Sequence, residues 1–108
     1  MKIRLDVTGG FAGLIEHWPI IELDKLPSHV KNHLLELIED SDFFNMPGRL
    51  EETKGYDFIY TTLTINDHEV IDIDPSSDPT QDQANFRVLV DHVKGVYKLL
   101  RLKPRRKT

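Results

Sequence analysis

The sequence predicts a single α+β domain: a four-stranded, mainly antiparallel sheet with two helices packed on one face, in the order β-β-α-β-β-α. Three observations carry this expectation. Residues 2–7 and 56–74 alternate in the manner of half-buried strands. Residues 28–42 and 84–100 place apolar side chains at helical spacing. A chain of 108 residues, 39% hydrophobic and 30% charged, suits one domain around one core.

The elements follow in order. Ile3, Leu5 and Val7 share one face of the first strand, with Lys2, Arg4 and Asp6 on the other. The glycine-rich run "TGGFAG" ends it. Leu14 to Leu23 is apolar and β-branched, but Pro19 lacks an N–H, so this strand lies at an edge or is broken by a bulge. Val30, Leu34, Leu37 and Ile38 mark a helix from Ser28 to about Asp42, with Ser28 as N-cap after Pro27. "FFNMPG" stops it, and Arg49 to Gly55 is a polar loop.

Tyr56–Ile65 and Glu69–Asp74 read as a hairpin turning at Asn66-Asp67, residues that tolerate positive φ. "DPSSDPTQDQ" is turn-rich and offers two starts for the last helix. One is Asp78 with Pro79 at the first helical position; the other is a Thr80/Gln83 capping box. Phe86, Leu89, Val90, Val93, Tyr97 and Leu100 form that helix's apolar stripe, and Gly95 within it suggests close packing. The domain is expected over residues 1–101, with 102–108 a flexible basic tail.

The net charge of −4 favours solubility and names no partner. With no cysteine, the chain makes no disulfide, thiolate metal site or cysteine nucleophile. The N-terminus has no apolar signal region. No run approaches the roughly 18 apolar residues of a membrane span. A soluble, cytoplasmic domain is expected.

No motif assembles an active site. "TGGFAG" has the wrong glycine order for a dinucleotide fingerprint and precedes a strand, not a helix. Its glycines suit a turn, yet a turn has no need of Phe11, which either tucks onto the core or projects into a partner. His29 and His33 have a metal-compatible spacing, but lack the Glu of H-E-x-x-H and a third ligand, so they read as exposed helical histidines. His17, His68 and His92 are scattered. Asp72, Asp74, Asp78 and Asp82 lack the glycine and glutamate of a calcium loop and read as capping or solvated groups. The basic tail has no aromatic platform for nucleic acid. These residues describe a binding protein, not an enzyme, with no metal or cofactor.

The strand followed by "GGFAGL" (Gly9 to Leu14), the apolar strand with Trp18, the leucine-rich helix ending in "FFNMP", the hairpin and the last helix together resemble the emfourin family, protein inhibitors of protealysin and other thermolysin-like metallopeptidases. The resemblance spans nearly the whole chain, and "GGFAG" is its most specific part. In that family Arg-Ser often precedes the glycines, where this chain has Val7-Thr8, and "FF-x-LP" is here "FFNMP". The resemblance implies a bacterial inhibitor, encoded beside its peptidase, that fills the enzyme's cleft. Its contact loop would be Gly9, Gly10, Phe11, Ala12, Gly13 and Leu14, with Phe11 or Leu14 as the buried anchor. The protein is further expected to be monomeric when free, with no nucleic-acid or membrane partner. Strand direction adds Pro75, Ser76, Ser77 and Asp78 to that surface if the hairpin runs down and up, and Asn45–Gly55 if the first helix returns upward. A longer crossing would instead bring Asn66-Asp67 beside the glycines. The rival readings are a non-inhibitory regulatory module using the same loop, and a small enzyme with an unrecognised site.

Overall fold

The computed structural model describes residues 1–9, 13–50, 58–74 and 79–107. Its elements are β1 (Lys2–Gly9), β2 (Leu14–His17), β3 (Ile21–Glu22), α1 (Ser28–Asp40), β4 (Ile59–Ile65), β5 (His68–Asp74), α2 (Gln81–Leu99) and β6 (Arg105–Lys107). Short 3-10 turns occupy Leu23–Lys25 and Phe43–Asn45. The architecture is α+β, an open antiparallel sheet with two helices.

β1 is the hub. It pairs antiparallel with β4 from Ile3↔Ile65 to Gly9↔Ile59. Its other edge is shared: β2 takes Asp6 to Gly9, and β3 takes Lys2 and Ile3. The sheet order is β5-β4-β1-β2-β6, with β3 on β1. Pro19 explains the division of the second strand. It has no N–H for the ladder, so the pairing ends with Trp18 N–H donating to the Leu5 carbonyl, lapses at Pro19–Ile20 and resumes at Ile21. The Tyr97 hydroxyl donates to the Pro19 carbonyl left over by that break, at 2.5 Å, and its ring lies 4.8 Å from Trp18. Burial first, and the nearby Asp6 charge second, hold the Tyr97 pKa well above the ordinary phenol value.

Ile3 and Leu5 of β1, Leu63 and Ile65 of β4 and Val70 of β5 form one core with Val30, Leu34 and Ile38 of α1 and with Phe86, Leu89, Val90, Val93, Val96 and Tyr97 of α2. Both helices therefore cover the same sheet face. The other face carries exposed Lys2 and Arg4 and half-buried Asp6, Tyr60, Thr62 and Thr64. Of the stripe expected on α2, Leu100 falls outside the helix and is partly exposed.

The structure departs from the sequence expectation in several places. Among the described residues the strands number six, because the expected second strand is divided into β2 and β3 and the segment read as a loose tail contributes β6. Its residues pair with Ile15, Glu16 and His17 of β2. The cause is a charge-assisted bond as well as a free strand edge: Arg106 Nε donates to Glu16 Oε2 at 3.1 Å, while Trp18 Nε1 donates to Glu16 Oε1 at 2.8 Å. The N-cap of α1 is Pro27, with Ser28 already helical and no side-chain cap. α2 starts with the Thr80/Gln83 capping box.

Gly95 is not a close-packing position, since a Cβ there would meet nothing within 4 Å. It only weakens α2, so Gly95→Ala should raise stability by about 0.5–1 kcal/mol in urea unfolding.

Candidate functional site

The glycine segment leaves the sheet at the C-terminal end of its central strand. Gly9 and Gly13 both have positive φ, 105° and 65°. They are not equivalent. A Cβ on Gly9 would lie 2.3 Å from the Phe58 carbonyl oxygen and 3.3 Å from Tyr60 Cδ2; a Cβ on Gly13 would meet nothing within 4 Å. Gly9 is thus required by space as well as by φ, because β4 passes against it, whereas Gly13 serves the exposed turn into β2. Leu14 opens β2 and pairs with Gly9. Gly10, Phe11 and Ala12 lie outside the described residues, as do Pro75, Ser76, Ser77 and Asp78.

The register sets what surrounds this end. Leu14, Gly9, Ile59 and Asp74 form one row across β2, β1, β4 and β5. Three inter-strand gaps of about 4.8 Å put the start of β2 and the end of β5 roughly 14 Å apart. The chain entering β4 and the chain leaving β5 both reach this row. Of the two routings that the sequence allows, the hairpin thus runs down and up. Its Asn66-Asp67 turn sits at the opposite end, where Lys2 N–H donates to Asn66 Oδ1 and Asn66 N–H to the Lys2 carbonyl.

The segment after α1 departs from expectation. Phe43–Met46 lies at the Asn66 end: His68 Nε2–H donates to the Met46 carbonyl, and Phe43 packs edge-on against the His68 ring. From there Gly48–Leu50 runs along the outer edge of β5, bonded to both sides of the Ile71 peptide and parallel to it. Asn45 is therefore remote from Gly9, while Gly48–Leu50, parallel to β5, points toward the Asp74 end, and residues 51–55 lie outside the described residues.

The chain leaving β5 is fixed on its far side by a polar network that the sequence reading missed. Asp72 is 4% exposed. Its Oδ1 accepts from Gln83 Nε2 at 3.0 Å and its Oδ2 from Arg87 Nε at 2.9 Å. Gln83, fully buried, also closes the capping box, its Oε1 accepting from Thr80 N–H while its own N–H donates to Thr80 Oγ1. Asp72 is thus neither a cap nor a solvated group. The signal available in sequence was the i, i+4 pair Gln83/Arg87, two donors on one helix face beside an apolar strand. Gln83 thereby ties the end of β5, at Asp72, to the start of α2, at Thr80.

The histidines sort differently from their spacing. His29 and His33 are exposed on α1, as expected. His92 is not isolated: its ring meets His33 edge-on at 4.7 Å across the α1–α2 groove, beside Val30, Val96 and Leu99. Among the described residues, no three His, Asp or Glu side chains have a metal-holding arrangement. Nor is any helix there long and apolar enough to cross a membrane.

Compared with known proteins, the chain matches no family model, no curated protein and no solved structure.

Two outcomes test this geometry. Gly9→Ala should cost about 3 kcal/mol or more in urea unfolding, from clash plus strain. Gly13→Ala should cost only about 1–2 kcal/mol, from φ alone. The pKa of His92 is lowered from 6.5, first by burial and then by the charge of His33. The unfolded chain therefore takes up this proton before the folded one does. The stability contributed is complete above pH 6.5 and is lost as pH falls below it. Urea midpoints measured from pH 8 to 5 should decline below about 6.5, and His92→Gln should flatten that decline.

Proposed function

We propose that this protein inhibits a thermolysin-like zinc metallopeptidase of the protealysin kind. The glycine segment, Gly9 to Leu14, occupies the active-site cleft, and Pro75–Asp78 contacts the cleft rim. The reading begins from the resemblance of "GGFAGL" and its flanking elements to the emfourin inhibitors. The observation that supports it best is the row Leu14–Gly9–Ile59–Asp74, from which both segments depart at one end of a rigid sheet.

A cleft that admits an extended chain favours a narrow insert. Gly9, Gly10, Ala12 and Gly13 offer little side-chain bulk around one apolar anchor, Phe11. Gly9 is held between β2 and β4, so one end of the insert is preorganised and loses little entropy on binding. The Thr80 cap and the Asp72–Gln83 bond do the same for the second segment. In this reading the protein has no catalytic residue and uses no cofactor. It acts as a monomer in the cytoplasm, on a peptidase encoded beside it.

Titrating thermolysin-like peptidases with the purified protein should give stoichiometric, reversible inhibition that is competitive with substrate. No inhibition of any member at micromolar protein, a cognate bacterial peptidase included, overturns the reading. Binding without inhibition would instead identify a regulatory module using the same loop. Phe11→Ala should weaken inhibition by about 2 kcal/mol, roughly thirtyfold, with stability changed by less than about 0.5 kcal/mol. A loss of about 3–5 kcal/mol in stability with affinity retained would make Phe11 a core residue and move the anchor to Leu14.

A further inference from the structure

We propose that the open face of the sheet carries a second binding site, for a carboxylate borne on an apolar group. It lies in the cavity of about 460 Å³ between Arg4, Asp6, His17, Trp18, Ile20 and Arg105, at the strand break around Pro19. That volume is within the range that holds small ligands.

The register builds the polar side. Asp6 pairs with His17 across β1 and β2, and His17 pairs with Arg105 across β2 and β6, so the three share one cross-strand row on the face away from the helices. Arg4 stands two residues before Asp6, on the same face. Asp6 Oδ1 lies 2.6 Å from His17 Nδ1, and its Oδ2 accepts from Arg4 Nε at 3.0 Å. An ionised carboxylate only accepts, so Nδ1 of His17 carries the proton and Nε2 is the ring's outward nitrogen. The His17 side chain keeps 44% of its exposure.

Charge complementarity then selects the ligand. The single negative charge of Asp6 is matched by Arg4. Arg105 lines the same cavity and makes no hydrogen bond or ion pair among the described residues, which leaves one positive charge uncompensated there. A planar guanidinium is suited to two parallel bonds to a carboxylate. The opposing wall is apolar: Trp18, Pro19 and Ile20, of which Ile20 is 61% exposed. A neutral apolar ligand would leave Arg105 unmatched, and a bare inorganic anion would leave that wall uncovered. A carboxylate on an apolar group uses both. Such a group has two sources, the C-terminal residue of a peptide or a free alkanoate. The site is about 10 Å along β1 from Gly9, so it stands independently of the inhibitory reading.

Trp18, the chain's single tryptophan, lines the cavity while its ring packs on Tyr97, so its emission is the readout. Three probes decide the matter: N-acetyl-L-leucine, 4-methylpentanoate and N-acetyl-L-leucinamide. A saturable change with one or both acids, and binding of the amide weaker by about tenfold or more, is the expected result. A preference for N-acetyl-L-leucine over 4-methylpentanoate indicates a peptide terminus; equal binding indicates a free acid. Arg105→Ala should weaken the acids about tenfold with the unfolding midpoint unchanged, and Arg105→Lys should restore part of the loss. Should Arg105→Ala release β6 and lower that midpoint, the His17 ring resonances of the unaltered protein decide instead: the acids shift them and the amide does not. Equal binding of acid and amide, no saturation at roughly ten millimolar, or unmoved His17 resonances would overturn the proposal.

Discussion

Everything in this molecule is registered on β1. Its two edges hold three other strands directly, and β5 and β6 attach one step further out. Its apolar face, Ile3 and Leu5, lies under both helices. Its polar face supplies the Asp6 and Arg4 of the open-face cavity. Its last residue, Gly9, is clasped so closely by β4 that no side chain fits. A strand paired along both edges cannot slip by one residue without exchanging its buried and exposed faces. The exit point of the glycine segment is therefore as fixed as the core itself.

The second constraint is the junction of β5 with α2. Val70 and Asp72 face the helices, while Ile71 and Ile73 face away, so the most apolar-looking side of β5 is not the one in the main core. Asp72 is tolerated under α2 because Gln83 and Arg87 satisfy both its oxygens. A buried carboxylate without such partners would be costly. The arrangement couples the helix cap to the strand end.

Much of this was legible in sequence because it is periodic. The alternation of Lys2–Val7, the stripe of α2, the Asn66-Asp67 turn and the break at Pro19 are each written in a local pattern with a local cause. What was not legible depends on partners distant in the chain. β6 reads as a solvated basic tail until Glu16, ninety residues earlier, is seen to hold Arg106. His92 reads as a stray histidine until α1 brings His33 against it. Asp72 reads as a solvated carboxylate until Gln83 and Arg87 arrive from the next helix. For the candidate site, the need for positive φ at Gly9 and Gly13 was readable from the glycines themselves, but the steric demand that separates them comes from Phe58 across the sheet. The remoteness of Phe43–Met46 follows from the direction of α1, which no local pattern encodes.

Under the proposed function this sheet end would enter a peptidase cleft, and mapping the contact tests that most directly. Backbone amide shifts of the labelled protein can be followed while a thermolysin-like peptidase is added, with and without a small active-site ligand already in the enzyme. The account predicts perturbations confined to Gly9–Leu14 and to the segment between Asp74 and Thr80, abolished when the cleft is occupied beforehand. Perturbations centred on α1, α2 or the Asn66-Asp67 turn, or shifts indifferent to a filled cleft, would contradict it.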